Sequence, residues 1–272
     1  MMKTIGSVPV IASVIIVMII TGIGSGPFLS IMVITYGQRS NTNSSAVMES
    51  TAQKKILPVL LIHGYLSDAA IWNKWQDLLK KDGIPAFPIT FQQSDDKCGS
   101  AADHAKELSK KIEEIKSETG QNRVNIVGHS KGGLDARAYL ADRTSNVANL
   151  IMIGTPNAGS PIAQSNNICA PAVYDLKPGA ADTLAKMNPN TKYYTIAGNW
   201  NPSVGNCPQS LFWPMEQIGY YNLPKPNDGL VPVSSVESQG YFDSLGHTNS
   251  CHTNLLSDYE YGLARDILLG KK

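Results

Sequence analysis

The chain has 272 residues, of which 17% are charged and 42% hydrophobic, and its formal net charge at pH 7 is +1. This length suffices for one sizeable domain or two small ones, and the mixed composition is that of a globular protein. Because basic residues are not in excess, we expect no nucleic acid partner.

The N-terminal part differs in composition from the rest of the chain. Residues 8–36 contain no charged side chain, and a basic residue lies on each side of them. We interpret residues 1–36 as a signal anchor or a signal peptide, since the run is long enough to cross a bilayer. The anchor is preferred because an Ala-x-Ala-like cleavage site is missing, and a buried core helix is a further alternative. Either targeting role predicts an exported protein, held at a membrane if the segment stays, with residues 37–54 as a polar linker.

Beyond the linker, residues 55–272 alternate apolar runs of strand length with amphipathic segments. Residues 56–62 predict a first strand, and residues 84–91 predict a second one that two prolines distort. The segment between them predicts a helix that ends at Gly83. Residues 101–116 carry apolar side chains at spacings of three and four, which predicts another helix.

The stretch VNIVGHSKGG follows this helix. Residues 124–127 predict a short buried strand, and residues 134–140 predict a helix. At the turn between them Ser130 lies between Gly128 and Gly132, in the Gly-x-Ser-x-Gly pattern of a nucleophile elbow. On this pattern alone, an ordinary glycine-rich turn with an incidental serine is the alternative.

The remaining elements complete the fold prediction. Residues 149–154 and 193–198 predict two more strands. The order of elements predicts an α/β fold with a mostly parallel central sheet and helices on both faces. Active groups in such a sheet gather at the carboxyl ends of the strands, where Ser130 is expected. A last helix presents one apolar face, made of Leu255, Leu256, Tyr259, Leu263 and Ile267.

A serine hydroxyl is a weak nucleophile and needs a base that an acid orients. As the base we prefer His252, directly before the last helix, to His247, which lies in a polar loop. As the acid we choose Asp228, in an Asn-Asp-Gly turn that precedes an apolar, extended segment. The competing acids are Asp175, Asp182 and Asp243.

The oxyanion of an acyl-transfer intermediate needs two backbone N–H donors. We assign them to Lys131, directly after Ser130, and to Tyr65, in the loop after the first strand. His63 is expected to hold that loop by hydrogen bonds, and His129 to pack beneath the elbow. His104 is expected to be solvated on its helix.

Four cysteines fit an oxidising compartment and two disulfides. None of them have the spacing of metal ligands, and we expect neither a metal nor a cofactor. Of the three pairings that four cysteines allow, we favour Cys207 with Cys251, which would restrain the loop of the base. Cys98 would then pair with Cys169. Free thiols are the alternative.

Nearly all of the chain beyond the polar linker resembles a secreted α/β-hydrolase of the bacterial lipase and esterase type. The motifs that carry the resemblance are, in chain order, PVLLIHGY, NIVGHSKGG, GTPNAGSP, VYDLKPGAADTLAKMN, YYTIAG, NDGLVPVSS and CHTNLL. The resemblance implies an α/β-hydrolase fold and the following roles: nucleophile Ser130, acid Asp228, base His252 and oxyanion donors Tyr65 and Lys131.

The resemblance also implies hydrolysis of a carboxylic ester or a lipid through an acyl-enzyme. Acyl transfer or amide hydrolysis by the same triad is an alternative, and so is a catalytically silent surface protein that only binds. The chain departs from the family at Lys131, where Gln or Met is frequent, and at Asn157, where His is common. The first departure predicts a cation beside the site.

Residues 157–190 are interpreted as a cap over the acyl pocket. The alternative is an ordinary helical excursion packed on the sheet. The expected apolar lining is Ile162, Ile168, Ala170, Ala172, Val173 and Leu184.

Overall fold

The computed structural model describes residues 56–141, 146–184, 187–205, 207–238, 240 and 242–272. The predicted signal segment and most of the polar linker lie outside the described residues. The described residues all belong to one unit, Ala52–Lys272. Within them, no helix combines the length and the apolar character needed to cross a membrane.

A six-stranded parallel sheet forms the centre of the described part of the chain, with strand order β2-β1-β3-β4-β5-β6. The chain runs from β1 to β2 on one side and then crosses to β3 on the other side of β1. The carboxyl ends of β1 and β3 therefore flank the switch point, where ligands bind in open α/β sheets. The strands are β1 Val59–Ile62, β2 Ala86–Pro88, β3 Val124–His129, β4 Val147–Ile153, β5 Lys192–Gly198 and β6 Asp243–Thr248.

Helices cover both faces of this sheet. Successive strand residues point to opposite faces, so β1 contributes Val59 and Leu61 to one apolar layer and Leu60 and Ile62 to the other. The first layer contains apolar residues of α1 and α7, and the second those of α2 and α3. The helices are α1 Asn73–Lys81, α2 Ala101–Thr119, α3 Lys131–Ala141, α4 Ala170–Asp175, α5 Trp213–Asn222, α6 Val233–Val236 and α7 Asp258–Leu268.

The helix boundaries have local causes. At the start of α2, the Ser100 hydroxyl accepts a hydrogen bond from the Asp103 N–H at 3.1 Å. Gly120 ends the helix in the left-handed region, with φ of +63°. At α7, Ser257 and Glu260 form a capping box.

The structure confirms the predicted α/β fold and corrects three local predictions. The polar loop expected around His247 is strand β6, an edge strand whose exposed residues lack an apolar alternation. The segment after Asp228, expected to be extended, contains α6. Leu255 and Leu256, expected on the last helix, precede α7 because the capping box starts that helix at Asp258.

Candidate active site

Ser130 lies in a sharp turn between β3 and α3. Its φ is +55°, a conformation that a residue other than glycine rarely adopts. The backbone N–H of Ser130 donates to the Ile153 carbonyl at 2.8 Å, which fixes the turn to β4. Close packing requires glycine on the β3 side, because a Cβ at Gly128 would lie 2.6 Å from the Gly133 nitrogen. The turn holds the hydroxyl at the carboxyl end of the sheet.

Ser130, His252 and Asp228 form a hydrogen-bonded chain. The distance from Ser130 Oγ to His252 Nε2 is 2.9 Å, and that from His252 Nδ1 to Asp228 Oδ2 is 2.7 Å. All three side chains are buried. They come from three separate parts of the sequence: the turn after β3, the turn before α6 and a 3₁₀ turn after β6. The geometry can pass a proton from the hydroxyl to an imidazole that a carboxylate orients.

Residues 227–231 form a turn, here called the acid turn, that holds Asp228 rigidly. Asp228 Oδ1 accepts from the N–H groups of Leu230 and Val231 at 2.9 and 2.6 Å. The Asp228 carbonyl accepts from the His252 N–H at 2.9 Å, so the backbone also joins acid and base. Asn227 Oδ1 accepts from the Gly229 N–H at 2.9 Å, which closes the turn.

The surroundings of His252 favour its protonated form. Burial lowers the pKa of this imidazole, but the charge and hydrogen bond of Asp228, with a contribution from Glu216, raise it above its usual value. His129 packs against it, with ring centroids 5.0 Å apart. Burial lowers the pKa of His129 to about 3, so that ring stays neutral and donates to the His252 carbonyl.

The residues expected to supply the oxyanion donors flank the serine. A Cβ at Gly64, directly before Tyr65, would lie 2.8 Å from Ser130 Cβ, so this loop contacts the elbow. The Tyr65 hydroxyl donates to the Ile168 carbonyl at 2.8 Å. His63 holds the loop as expected, since its Nε2 lies 2.9 Å from Asp96 Oδ1.

The prediction of a cation beside the site is wrong. The Lys131 side chain is buried, and its Nζ lies 2.5 Å from Asp135 Oδ1 and 3.7 Å from Asp175 Oδ2. Asn157, the other departure from the family pattern, accepts from Arg137 Nη1 at 2.9 Å and is buried. Both side chains hold α3 to its neighbours.

The expectation of a solvated His104 is also wrong. The side chain is buried, its Nδ1 lies 2.8 Å from Asp135 Oδ2, and its ring stacks on Phe91 with centroids 3.7 Å apart. The helical pattern of α2 could not reveal this, because the polar partners of the ring come from α3 and from the loop after β2. Lys131 and Asp135 of α3 thus form a buried polar cluster with His104 of α2.

An apolar cavity of about 550 Å³ opens beside Ser130 and His252. Only one of the six expected lining residues, Ile162, borders it. Ile168 is exposed, and Ala172 and Val173 are buried where α4 packs on the loop after β2, with the Ala172 N–H donating to the Cys98 carbonyl. The apolar lining consists of Leu66, Ile71, Ile162, Ala163, Leu176, Leu211, Phe212, Met215, Leu230, Val231 and Leu256.

The favoured disulfide pairing is confirmed: Cys98 is joined to Cys169, and Cys207 to Cys251. The second bridge ends directly before His252. Within the described part of the chain, the one group of potential metal ligands is Cys207, Glu216 and Cys251. Because Cys207 and Cys251 are joined in a disulfide, neither sulfur is a thiolate that could bind a metal.

The competing residues lie elsewhere. His247 Nε2 is 2.9 Å from Glu237 Oε1, at the surface. Asp175 Oδ2 accepts from the Ala101 N–H at 2.6 Å, a contact between α4 and α2. Asp243 starts strand β6, and Asp182 lies in a 3₁₀ turn.

One buried carboxylate near the base is missed by the sequence analysis. Glu216 of α5 accepts hydrogen bonds from the N–H and the hydroxyl of Thr253, at 2.9 and 3.0 Å. The available signal was a glutamate in WPMEQIGYYN, a segment too mixed in character to predict a helix face.

The fold and the sequence resemble those of known hydrolases. The sequence profile of the family "Palmitoyl protein thioesterase" matches residues 58–206, more than half of the chain. The triacylglycerol lipase of Burkholderia plantarii is 30% identical over 210 residues, which cover 74% of this chain and 57% of that protein. That of Pseudarthrobacter phenanthrenivorans is 31% identical over 197 residues, covering 70% and 60%. The chain thus spans less than two thirds of the length of these curated relatives.

Solved structures agree with the family match. A Bacillus licheniformis lipase in its mature form superimposes with a TM-score of 0.66 and 26% identity, over 78% of this chain and 92% of that one. A metagenomic carboxyl esterase, at 16% identity and a TM-score of 0.61, shares the fold over 79% of this chain and 74% of its own. The chain therefore belongs to the palmitoyl protein thioesterase family and has the α/β-hydrolase fold of lipases and esterases.

Proposed function

We propose that this protein is a carboxylic-ester hydrolase that acts through a Ser130–His252–Asp228 triad and an acyl-enzyme. The observation that carries the proposal is the hydrogen-bonded chain from Ser130 through His252 to Asp228, which opens on an apolar cavity. The lipase and esterase relatives support the same class of reaction.

Each triad residue has one task in the proposed reaction. Ser130 Oγ attacks the ester carbonyl while His252 Nε2 takes its proton, and His252 then passes that proton to the leaving alcohol. Asp228 keeps the Nδ1–H tautomer and stabilises the imidazolium. Water, deprotonated by His252, attacks the acyl-enzyme and releases the acid.

Backbone N–H groups of Tyr65 and Lys131 are proposed to bind the oxyanion. Their positions next to Gly64 and Ser130 support this role, because a Cβ at Gly64 would lie 2.8 Å from Ser130 Cβ. Donors placed before the reaction starts stabilise charge without reorganisation, and the loss of one costs about 10²–10³ in kcat.

The cavity is proposed to bind the acyl chain of an ester or lipid. Its lining is mostly apolar, and residues 157–190 contribute Ser160, Ile162, Ala163, Asn166 and Leu176 to it. We therefore keep the proposal that this segment caps the pocket. Export of the protein, with residues 1–36 as its signal or anchor, is proposed on the apolar composition of that segment and on the two disulfides.

Hydrolysis of fatty acyl thioesters is a second candidate, and the family match favours it. The same triad would serve, because a thiol with a pKa of about 8.5 leaves with less need of a proton than an alcohol. An oxyester and a thioester with the same acyl chain separate the two candidates. A higher kcat/KM for the thioester would assign the protein to thioesters.

Ser130→Ala tests the mechanism. We expect it to abolish hydrolysis of p-nitrophenyl esters of graded chain length while thermal unfolding stays unchanged, because no other nucleophile can form the acyl-enzyme. A serine-directed phosphonate should label Ser130 alone in the wild type. Full activity in the variant, or labelling elsewhere, would contradict the mechanism, and a wild type inactive on every ester would favour a silent binding protein.

A further inference from the structure

Glu216 connects helix α5 to the loop of the base. Its side chain is fully buried, and its Oε1 accepts from both the backbone N–H and the hydroxyl of Thr253, at 2.9 and 3.0 Å. Thr253 follows His252 directly in the sequence. The carboxylate therefore fixes the residue next to the imidazole with two hydrogen bonds.

The same helix contacts the turn that carries the acid. A Cβ at Gly229 would lie 2.7 Å from the Glu216 carbonyl oxygen, so the backbones of α5 and the acid turn touch. Asn227 Nδ2 donates to the carbonyls of Tyr220 and Leu223, each at 3.3 Å, at the end of α5. One helix thus determines the position of acid and base together.

Glu216 has no permanent cation as a partner in the described part of the chain. Among the residues that the structure describes, no lysine or arginine lies within ion-pair distance of its carboxylate. Its Oε2 lies 3.4 Å from Cys207 Sγ, a disulfide sulfur that has no proton to donate. Burial raises the pKa of Glu216, and the Thr253 donors oppose that shift. A buried carboxylate is costly unless a cation faces it.

A cation arises next to Glu216 when His252 takes a proton. Asp228 of the acid turn and Glu216 of α5 are the carboxylates whose charges act on this imidazole, and the neutral His129 of β3 packs against it. Lys74 of α1, which pairs with Asp258, lines the same cavity as His252. Glu260 of α7 accepts from Ser250, two residues before His252. The carboxylates near the ring thus outnumber the cations. Their negative charge stabilises the imidazolium relative to the imidazole.

We propose that Glu216 is a positioning residue for His252 and that its charge, second to that of Asp228, stabilises the imidazolium formed during acyl transfer. The inference rests on the proposed function, because it assigns a role relative to His252 as the base. It predicts that the residue affects kcat and its pH dependence more than it affects KM.

Glu216→Gln removes the charge and keeps an oxygen that can accept from Thr253. The base must be neutral to act, so activity is lost as pH falls through its pKa. Without the Glu216 charge the acidic limb of kcat/KM for p-nitrophenyl butyrate should move down by about half a unit to one unit. We expect kcat to fall about tenfold, equivalent to about 1.4 kcal/mol in the barrier. Glu237→Gln, which removes the partner of the surface residue His247, is the matched control and should change neither quantity.

Glu216→Asp tests the effect of side-chain length separately from the effect of charge. It keeps the charge but shortens the side chain, so we expect a lower kcat with an acidic limb closer to that of the wild type. The proposal would be overturned if the acidic limb of kcat/KM lay at the same pH in the Gln and Asp variants, or if it did not move in Glu216→Gln. Should the Gln variant fail to fold in thermal unfolding, an unchanged kcat in Glu216→Asp would overturn it. Failure of the proposed function itself would be seen separately, as an inactive wild type or an active Ser130→Ala variant.

Discussion

At the residue scale, His252 and His247 differ in what surrounds them. His252 is buried between Asp228 and Ser130, whereas His247 faces Glu237 at the surface of an edge strand. A base needs contact with both its nucleophile and its acid. Only His252 meets that requirement.

His252→Ala should lower kcat for ester hydrolysis by roughly 10³-fold or more, as expected for the loss of one member of a working triad. His247→Ala should cost far less, because it removes only a surface contact. Initial rates with one soluble ester, for both variants and the wild type, provide the measurement. The reverse ranking would mean that the base lies five residues earlier in the chain.

The sequence could predict the residues of the candidate site but not the polar side chains behind them. Ser130, Asp228 and His252 follow from a motif, a turn signal and chain order. Glu216 and His104 do not, because their roles depend on partners that only the folded chain brings close. Periodicity along one helix describes its own faces and is silent about a charge on the next helix.

At the element scale, the segment from β6 to α7 is short and carries the base. Its anchors are Glu216 at Thr253, the bond from the His252 N–H to Asp228, and the disulfide from Cys251 to Cys207. Leu255, at the end of this loop, is fully buried in the first apolar layer, and the covalent and polar anchors hold the residues before it. A base must be held within a fraction of an ångström of its productive position.

Replacement of Cys207 and Cys251 by serine should lower kcat more than it raises KM, because it loosens the base and leaves the acyl cavity in place. The free energy of unfolding should fall by about 2–4 kcal/mol. Replacement of Cys98 and Cys169 is the matched control: it should lower stability to a similar extent and retain kcat. An unchanged kcat in the first variant would make the bridge a stabilising cross-link without a part in positioning His252.

Elements with a strong apolar signal were predicted, and those without one were missed. Strand β3 and helix α2 have continuous or regularly spaced apolar residues, and both are close to their expected bounds. Strand β6 and helix α5 have mixed faces, because one lies at the edge of the sheet and the other packs on loops. Strand β6 and helix α5 border the candidate site. The side of the site that they form was therefore harder to predict than the turn after β3 that carries Ser130.

At the scale of the whole molecule, the sheet places every group of the proposed reaction at one end. Both apolar layers, the triad and the cavity lie within residues 56–272. We expect these residues to fold and act without the apolar N-terminal segment, because they contain both apolar layers and the whole triad.

A chain that begins at Ser45 tests this separation. We expect it to remain in the supernatant after ultracentrifugation, because the apolar residues 8–36 are gone. It should keep the kcat/KM of the full chain for a soluble ester, since the triad and its anchors are retained. The full chain should sediment with membranes if residues 1–36 are an uncleaved anchor, and should be shortened at its N-terminus if they are a signal peptide, which N-terminal sequencing would detect. A truncated chain that forms both disulfides but is insoluble or inactive would show instead that the N-terminal segment belongs to the hydrolase fold.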